Sequence, residues 1–383
     1  MKSRNEIKNV AIVGGTHGNE VTGTYLLRRW AANPQEIKRH SFDTKLLWAN
    51  PKAFRENRRY IDCDLNRSFS RDDLKDETID TYEGNRAKVI NALLGPKGNP
   101  AFDFTFDIHS TTSNMGITLI LIGEDQYQLR LAAYLKARIR NVNLLCIPSE
   151  IGEANLSSVT PRMLGIEIGP IPQGLLRHDI FDQVNQVVNL GLDYIELVNA
   201  GNDPAVDYQV EVFTYRSTVK FPVDSEGNIG AMIHRDLQDK DFTALLQGDP
   251  MFVTLGGEII PYTEDEIAYP VFINEAAYYD QKIALSLTDR RMTTIALVGT
   301  RAETEFVLSR MWAEMLQLEA VGADDNLFEL GADSLSALRI ISLVQQTFGV
   351  ELPEVALFES PTISSLCERI MALKMKPDPR AQD

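Results

Sequence analysis

The apolar run Val10-Ala11-Ile12-Val13 breaks off in Gly14-Gly15 and is followed at once by Thr16-His17-Gly18-Asn19-Glu20. A short strand that ends in a glycine pair, followed by Val21, Tyr25, Leu26, Leu27 and Trp30 at helical spacing, commits the start of the chain to a strand-helix unit. It also sets a His and a Glu three residues apart at a strand end, which is a metal-ligand spacing. A second alternating run, Phe102-Asp103-Phe104-Thr105-Phe106-Asp107-Ile108-His109, ends in another acid and histidine. Two strand ends can therefore meet at one ion. Catalytic zinc commonly keeps three protein ligands and leaves a fourth position to water, a set that His17, Glu20 and His109 would supply. The competing reading is that these are ordinary surface or core histidines. Against it, the chain has only five, and two of them follow strand-like segments among Gly, Asn, Ser and Thr.

Length and charge narrow the options further. At 383 residues the chain suits two or three domains, and 44% hydrophobic content is enough for packed cores. A formal net charge of -16 with no basic stripe argues against nucleic acid and against an anionic membrane surface as partners. Cys63, Cys146 and Cys367 are scattered with no CxxC pair, so the expectation is a reducing, cytoplasmic location. The N-terminal apolar run is too short for a signal-peptide core, and no run approaches membrane-spanning length.

Strand-like runs at 8-13, 44-49, 103-108 and 117-122 alternate with helical stretches at 19-32, 82-94 and 126-139. That alternation predicts an α/β domain with a parallel or mixed sheet, which collects its site at the carboxyl ends of the strands. From about 208 the pattern turns to short β-prone segments at 208-215, 230-234, 251-255 and 267-274, a small antiparallel subdomain. Residues 283-302 lose any clear pattern and read as a link. Residues 301-374 hold twelve acidic and five basic side chains, with helical periodicity at 303-317 and 334-348 and shorter helices at 354-358 and 362-373, which predicts a small acidic four-helix bundle. The expected division is an α/β domain over 1-205, a β-rich subdomain over 206-285, a linker over 286-302 and a helical module over 303-375.

Two further stretches carry chemistry. Arg58-Arg59-Tyr60-Ile61-Asp62-Cys63-Asp64-Leu65-Asn66-Arg67 interleaves charge with Tyr, Ile and Leu. Part of it should be buried with its arginines held in fixed directions, suited to a carboxylate or an oxyanion. A solvated loop is the alternative. Glu167 alternates with apolar neighbours in Gly165-Ile166-Glu167-Ile168-Gly169-Pro170. It is either the core partner of an arginine or a general base beside a metal.

Residues 9-280 resemble the aspartoacylase/succinylglutamate desuccinylase branch of zinc carboxypeptidase-like hydrolases, most closely the aspartoacylases. The resemblance rests on Gly14-Gly-Thr-His-Gly-Asn-Glu20, Arg59-Tyr-Ile-Asp-Cys-Asp-Leu-Asn-Arg67, Asp107-Ile-His-Ser-Thr-Thr-Ser-Asn-Met-Gly116, Gly165-Ile-Glu-Ile-Gly-Pro170 and Asn274-Glu-Ala-Ala-Tyr-Tyr279. It implies a zinc carboxypeptidase-like mixed sheet flanked by helices, zinc on His17, Glu20 and His109, and Glu167 as general base. It further implies that Arg59 polarises the scissile carbonyl while Asn66, Arg67 and Tyr278 hold the substrate's α-carboxylate. Aspartoacylases use another arginine, upstream of the Gly-Ile-Glu strand, for the aspartate side chain. An ungapped alignment puts Ser157 there, with Arg162 five residues nearer Glu167. Either Arg162 compensates from a rearranged loop or the preferred substrate is another N-acyl amino acid.

In the C-terminal bundle, Leu330-Gly331-Ala332-Asp333-Ser334-Leu335 follows Asn326-Leu327-Phe328. Taken alone, a serine at a helix start is an ordinary cap. The whole motif resembles that of acyl and peptidyl carrier proteins, which implies 4'-phosphopantetheine attached to Ser334, a phosphopantetheinyl transferase as partner, and biosynthetic enzymes docking on the acidic module.

The leading expectation is a zinc amidohydrolase that cleaves N-acyl-L-amino acids such as N-acetyl-L-aspartate to a carboxylate and a free amino acid, fused to a carrier domain. The alternative is a carrier protein of a nonribosomal peptide or polyketide type of pathway, whose zinc domain tailors or releases a tethered acyl group. A binding protein with a dead site is a weaker third reading.

Overall fold

The structure is a computed structural model that describes residues 6–295, 300–353 and 355–374. Residues 296–299 of the expected linker, Glu354 of the third expected bundle helix and residue 375 at the expected domain end lie outside the described residues. The chain forms two compact units. One comprises Met1–Gly201 with Glu211–Thr293, and the other Asn202–Val210 with Thr294–Asp383.

The strands are β1 (Asn9–Gly14), β2 (Asp43–Trp48), β3 (Phe104–Ser110), β4 (Gly116–Ile122), β5 (Val142–Ile147), β6 (Arg162–Gly169), β7 (Gln209–Lys220), β8 (Ala231–Ile233), β9 (Pro250–Thr254), β10 (Ile259–Pro261), β11 (Tyr269–Val271) and β12 (Ile283–Thr294). Nine of them form one mixed sheet in the order β11-β12-β7-β5-β4-β6-β3-β1-β2. Strands β2, β1, β3 and β6 run parallel, and β4 crosses back antiparallel to β6. This is the mixed α/β sheet that the alternating pattern predicts. Its register sets Gly14 beside Ile108 and His109 beside Glu167, so three chemistry-bearing stretches arrive at one edge of the sheet.

The helix Val21–Ala32 lies unusually close to the sheet. A Cβ on Gly14 would come within 2.6 Å of the Gly23 carbonyl carbon, and one on Gly23 within 3.1 Å of Ile108 Cβ. Two glycines thus let the helix start press against the ends of β1 and β3. That contact places Glu20, the residue before the helix, over the sheet edge. Trp30, Phe104, Phe106 and Tyr194 are fully buried in this part of the chain, and Phe106 fills the space beside Gly191 of the long helix His178–Asn199.

The β-rich stretch divides its strands between two sheets. Strands β8, β9 and β10 make a small antiparallel sheet of their own, packed through Phe221, Phe252 and Leu285. Strands β7, β11 and β12 instead extend the large sheet. The stretch expected to be a patternless link from 283 contains β12, a twelve-residue strand. Its first half is buried on both faces and its second half carries exposed Asp289, Arg290 and Arg291, so neither half shows the alternation that marks a half-buried strand.

The second unit is the expected four-helix module, with helices at Arg301–Leu316, Ser334–Phe348, Ala356–Glu359 and Ile363–Lys374. Trp312, Ile340, Val344, Leu366 and Ile370 form its core. Tyr208 belongs to the same buried cluster and accepts a hydrogen bond at its carbonyl from the Ile295 N–H at 2.8 Å. The segment 202–210 is therefore part of the helical unit, although its sequence continues into β7.

One half-buried acid in the β-rich part gives a stability test. Asp241 Oδ1 accepts from the Ile273 N–H at 3.1 Å, while its buried Oδ2 finds no hydrogen-bond partner among the described residues. Burial pushes this carboxyl up to about 7 from its ordinary 3.8. The folded state then holds a proton that the unfolded state releases between those values, so stability falls as pH rises through that window. Asp241→Asn keeps the acceptor and removes the charge. Its advantage over the parent chain in urea unfolding is expected to be small near pH 4 and to grow to about 4 kcal/mol by pH 8. An advantage that does not grow with pH would refute this account.

Candidate active site

His17 lies in the turn after β1, Glu20 is the residue immediately before the helix that follows, and His109 sits near the end of β3. All three are at least nine-tenths buried. His17 Nδ1 is 2.6 Å from Glu20 Oε1 and His109 Nδ1 is 3.0 Å from Glu20 Oε2, so the carboxylate bridges the two imidazoles. One ligand-type atom from each residue falls within 4.8 Å of the others, the spacing of donors around a single ion.

Each imidazole is backed by a second acid. His17 Nε2 lies 3.0 Å from Asp64 Oδ1, and His109 Nε2 lies 3.1 Å from Asp107 Oδ2. Asp107 is fixed in turn by the Thr16 hydroxyl, which donates to its Oδ1 at 2.9 Å. A ring nitrogen held by a carboxylate fixes the tautomer and aims the other nitrogen, the arrangement usual for metal-binding histidines. Sequence reasoning did not single out Asp64 and Asp107, although both fall inside the quoted motifs. Histidine and acid two positions apart on β3 was the available signal for Asp107. Asp64 is 47 residues from its partner and had none.

The loop 58–67 is held from beneath by Glu83, a fully buried acid on the helix Tyr82–Leu94. Its carboxylate accepts from the backbone N–H groups of Ile61, Asp62 and Cys63 and from Asn50 Nδ2. Sequence reasoning missed this acid as well. The loop so fixed presents Arg59, whose Nη1 donates to Glu20 Oε1 at 3.1 Å and whose Nη2 donates to Asp64 Oδ2 at 3.0 Å. The same loop carries Asn66, whose Oδ1 accepts from the Leu156 N–H, and Arg67, whose Nη1 donates to Asn155 Oδ1.

The electrostatics follow from this crowding. Burial alone would raise Glu20, but His17 and His109 hold its carboxyl well below the usual range. Burial also works against the Arg59 charge, and Glu20 and Asp64 more than offset it. Glu167 has the opposite balance, because burial pushes its carboxyl well up, Glu20 adds to that, and His109 only partly opposes it. Two acids in one site therefore differ sharply in proton affinity.

Tyr278 reaches this edge from the far end of the unit. Glu275 is buried and accepts at Oε2 from the Thr112 N–H and hydroxyl, the Ser113 N–H and the Thr111 hydroxyl. Its Oε1 accepts from the Ala277 N–H. That clamp fastens the segment before β12 to the loop after β3 and leaves Tyr278 near Arg59, with the guanidinium carbon 6.0 Å from the ring centre.

A cavity of about 700 Å³, counting its open mouth, is lined by His17, Glu20, Arg59, Asn66, Arg67, His109, Glu167 and Tyr278. Every hydrolase residue expected from the sequence is there except Arg162. Arg162 is five residues from Glu167 on β6, an odd number, so it projects from the opposite face of the sheet, about 16 Å of strand away. It pairs with Asp125 and lies over the Tyr127 ring. The expectation that Arg162 substitutes for the missing arginine is therefore corrected. Ser157 itself is buried and lines the cavity.

In the helical unit, Ser334 is exposed at the first position of its helix. Asp333 caps that helix, accepting from the Ser336 N–H at 2.8 Å and hydroxyl at 2.7 Å. The capping task belongs to Asp333, which leaves the Ser334 hydroxyl out of the cap. Among the described residues no helix is long and apolar enough to cross a membrane.

Three known protein families match separate stretches of the chain. Residues 6–195 match the succinylglutamate desuccinylase/aspartoacylase catalytic domain, residues 208–290 the AstE/AspA barrel-sandwich hybrid domain, and residues 307–370 a phosphopantetheine attachment site. A probable aspartoacylase of Trichodesmium erythraeum is 44% identical over 74% of this chain and 98% of its own length. Mouse aspartoacylase is 41% identical over 75% of this chain and 94% of its own. An N-acyl-aromatic-L-amino acid amidohydrolase of Xenopus laevis is 40% identical over 74% and 95%. The crystal structure of murine aminoacylase 3 superposes with a TM-score of 0.73 at 38% identity, covering 76% of this chain and 98% of that one. With such identity over nearly the full length of these relatives, the chain belongs to the succinylglutamate desuccinylase/aspartoacylase family and carries a phosphopantetheine-attachment domain behind it.

Proposed function

We propose that this chain is a zinc-dependent amidohydrolase that cleaves N-acyl amino acids to a carboxylate and a free amino acid, and that its C-terminal domain carries 4'-phosphopantetheine on Ser334. The observation that carries the hydrolase reading is the buried Glu20 carboxylate between two imidazoles, each backed by its own acid. Such a donor set fits a zinc ion held by His17, Glu20 and His109. Zinc bound there would act as a Lewis acid on the amide carbonyl and lower the pKa of the attacking water.

The chain's own residues supply the remaining chemistry. Glu167, whose proton affinity is raised by burial and by Glu20, takes the proton from the attacking water and returns it to the leaving nitrogen. Arg59 stays charged between Glu20 and Asp64 and stabilises the oxyanion that forms at the carbonyl oxygen. Asn66, Arg67 and Tyr278, which line the same cavity, grip the α-carboxylate and hold the amide over Glu167.

The carrier reading is supported by the exposure of Ser334 beside an independently capped helix start and by the family match over 307–370. A phosphopantetheinyl transferase would install the arm, and biosynthetic enzymes would dock on the acidic module. Three free thiols and no membrane-crossing helix among the described residues fit a cytoplasmic setting.

Two experiments test the two halves separately. On N-acetyl amino acids, Glu167→Gln is expected to lower kcat by about 10²- to 10⁴-fold while zinc content is unchanged. Near-normal turnover would remove Glu167 from the role of base. Incubation with coenzyme A and a phosphopantetheinyl transferase is expected to add one phosphopantetheine to the intact mass of the parent chain and none to Ser334→Ala. An unmodified parent chain would refute the carrier role.

A further inference from the structure

A second cavity, of about 510 Å³ counting its open mouth, lies at the ends of β1 and β2 and shares no lining residue with the active-site cavity. Its size falls in the range of small-molecule sites. The half-buried Trp48 and Phe54 bring two aromatic rings to it, and the exposed Arg28 and Arg55 bring two guanidinium groups. No acidic side chain among the described residues lines it. In a chain of net charge -16 this is a local reversal of sign, and such a cavity concentrates anions.

Neither Arg28 nor Arg55 has an acidic partner among the described residues, whereas nearby Arg29 pairs with Glu36 at 2.9 Å and Arg58 with Glu56 at 3.8 Å. Arg28 is held instead by aromatic contacts. Its guanidinium carbon lies 4.9 Å from the Tyr25 ring centre and 5.0 Å from the Phe54 ring centre, and those two rings meet edge-on at 6.0 Å. An arginine held over rings keeps its N–H edge for a carboxylate or phosphate fork. Arg55 ends the short helix Pro51–Arg55 that also carries Phe54, so one helix supplies both a ring and a charge. Thr24 adds a neutral polar group. It is 2% exposed, lines the cavity, and its hydroxyl has no hydrogen-bond partner among the described residues. Gly15, with φ of 71°, packs against it, since a Cβ there would lie 2.4 Å from Thr24 Oγ1. A buried hydroxyl in that position is costly until a polar atom reaches it.

We infer that this cavity is a second ligand site, separate from the hydrolase site, which takes a small organic anion built on a flat ring. The carboxylate or phosphate of the ligand is held by Arg28 and Arg55, its ring packs on Trp48 and Phe54, and a polar atom of it meets the Thr24 hydroxyl. The two arginines demand the charge, and the two rings demand the flat body. The inference does not depend on what the zinc-type cluster does.

Trp48 gives the test its reporter, because Trp30 and Trp312, the other two tryptophans of the chain, are fully buried. The full chain is titrated with AMP and with benzoate, followed by tryptophan fluorescence and by calorimetry, with adenosine, benzamide and inorganic phosphate as controls that lack either the charge or the ring. Saturable quenching by at least one of the two ring-bearing anions is expected, lost in Trp48→Phe, with the controls weaker by about tenfold or more. Arg28→Ala and Arg55→Ala are each expected to weaken binding by about tenfold or more while hydrolysis of N-acetyl amino acids is unchanged. AMP as the tighter probe identifies a phosphate ligand, and benzoate as the tighter one identifies a carboxylate. Neither heat nor quenching with either anion, inorganic phosphate binding as tightly as AMP, or binding that survives in both arginine variants would overturn the inference.

Discussion

The Glu20 carboxylate is the interaction on which the site depends. One oxygen meets His17 Nδ1 and the Arg59 guanidinium, and the other meets His109 Nδ1 and the Ser110 N–H. Turn, helix start, loop and strand end are thereby gathered on one buried acid. A carboxylate so deep in the protein is tolerable only because positive or donating groups surround it on every side, and removing one would leave a buried charge uncompensated. The close Gly14–Gly23 contact is what lets the helix start come near enough to the sheet for Glu20 to occupy this point.

The same device recurs around it. Glu83 collects three backbone N–H groups of the 61–63 stretch, and Glu275 collects the donors of Thr111, Thr112 and Ser113. Each buried acid converts an irregular loop, which has no ladder of its own, into a fixed platform. Arg59, Asn66 and Arg67 stand on the first platform and Tyr278 on the second. The polar part of the cavity is thus built by hydrogen bonding.

The local motifs were the legible part of the chain. His17 with Glu20, and Asp107 with His109, are neighbours in sequence, so their spacing carries their geometry directly. The α/β alternation and the helical module were legible for the same reason. What the sequence hid were contacts between distant positions, such as Asp64 behind His17 and Glu83 beneath the 61–63 loop. Arg162 illustrates a different limit, because proximity along a strand suggested a role that strand parity forbids. Strand β12 escaped notice because its burial changes from complete to nearly absent along its length. The segment 202–210 escaped notice because a tyrosine in a β-prone run gave no sign that it would join the core of a helical unit.

The buried cluster at Glu20 has the donor set of a zinc centre. Elemental analysis of the purified, dialysed protein tests it most directly, with Glu20→Ala and His109→Ala measured beside the parent chain and circular dichroism as the check on folding. About one zinc per parent chain, lost from both folded variants, is the expected result. A parent chain that holds no zinc yet hydrolyses N-acyl amino acids, or variants that retain the ion in full, would contradict it.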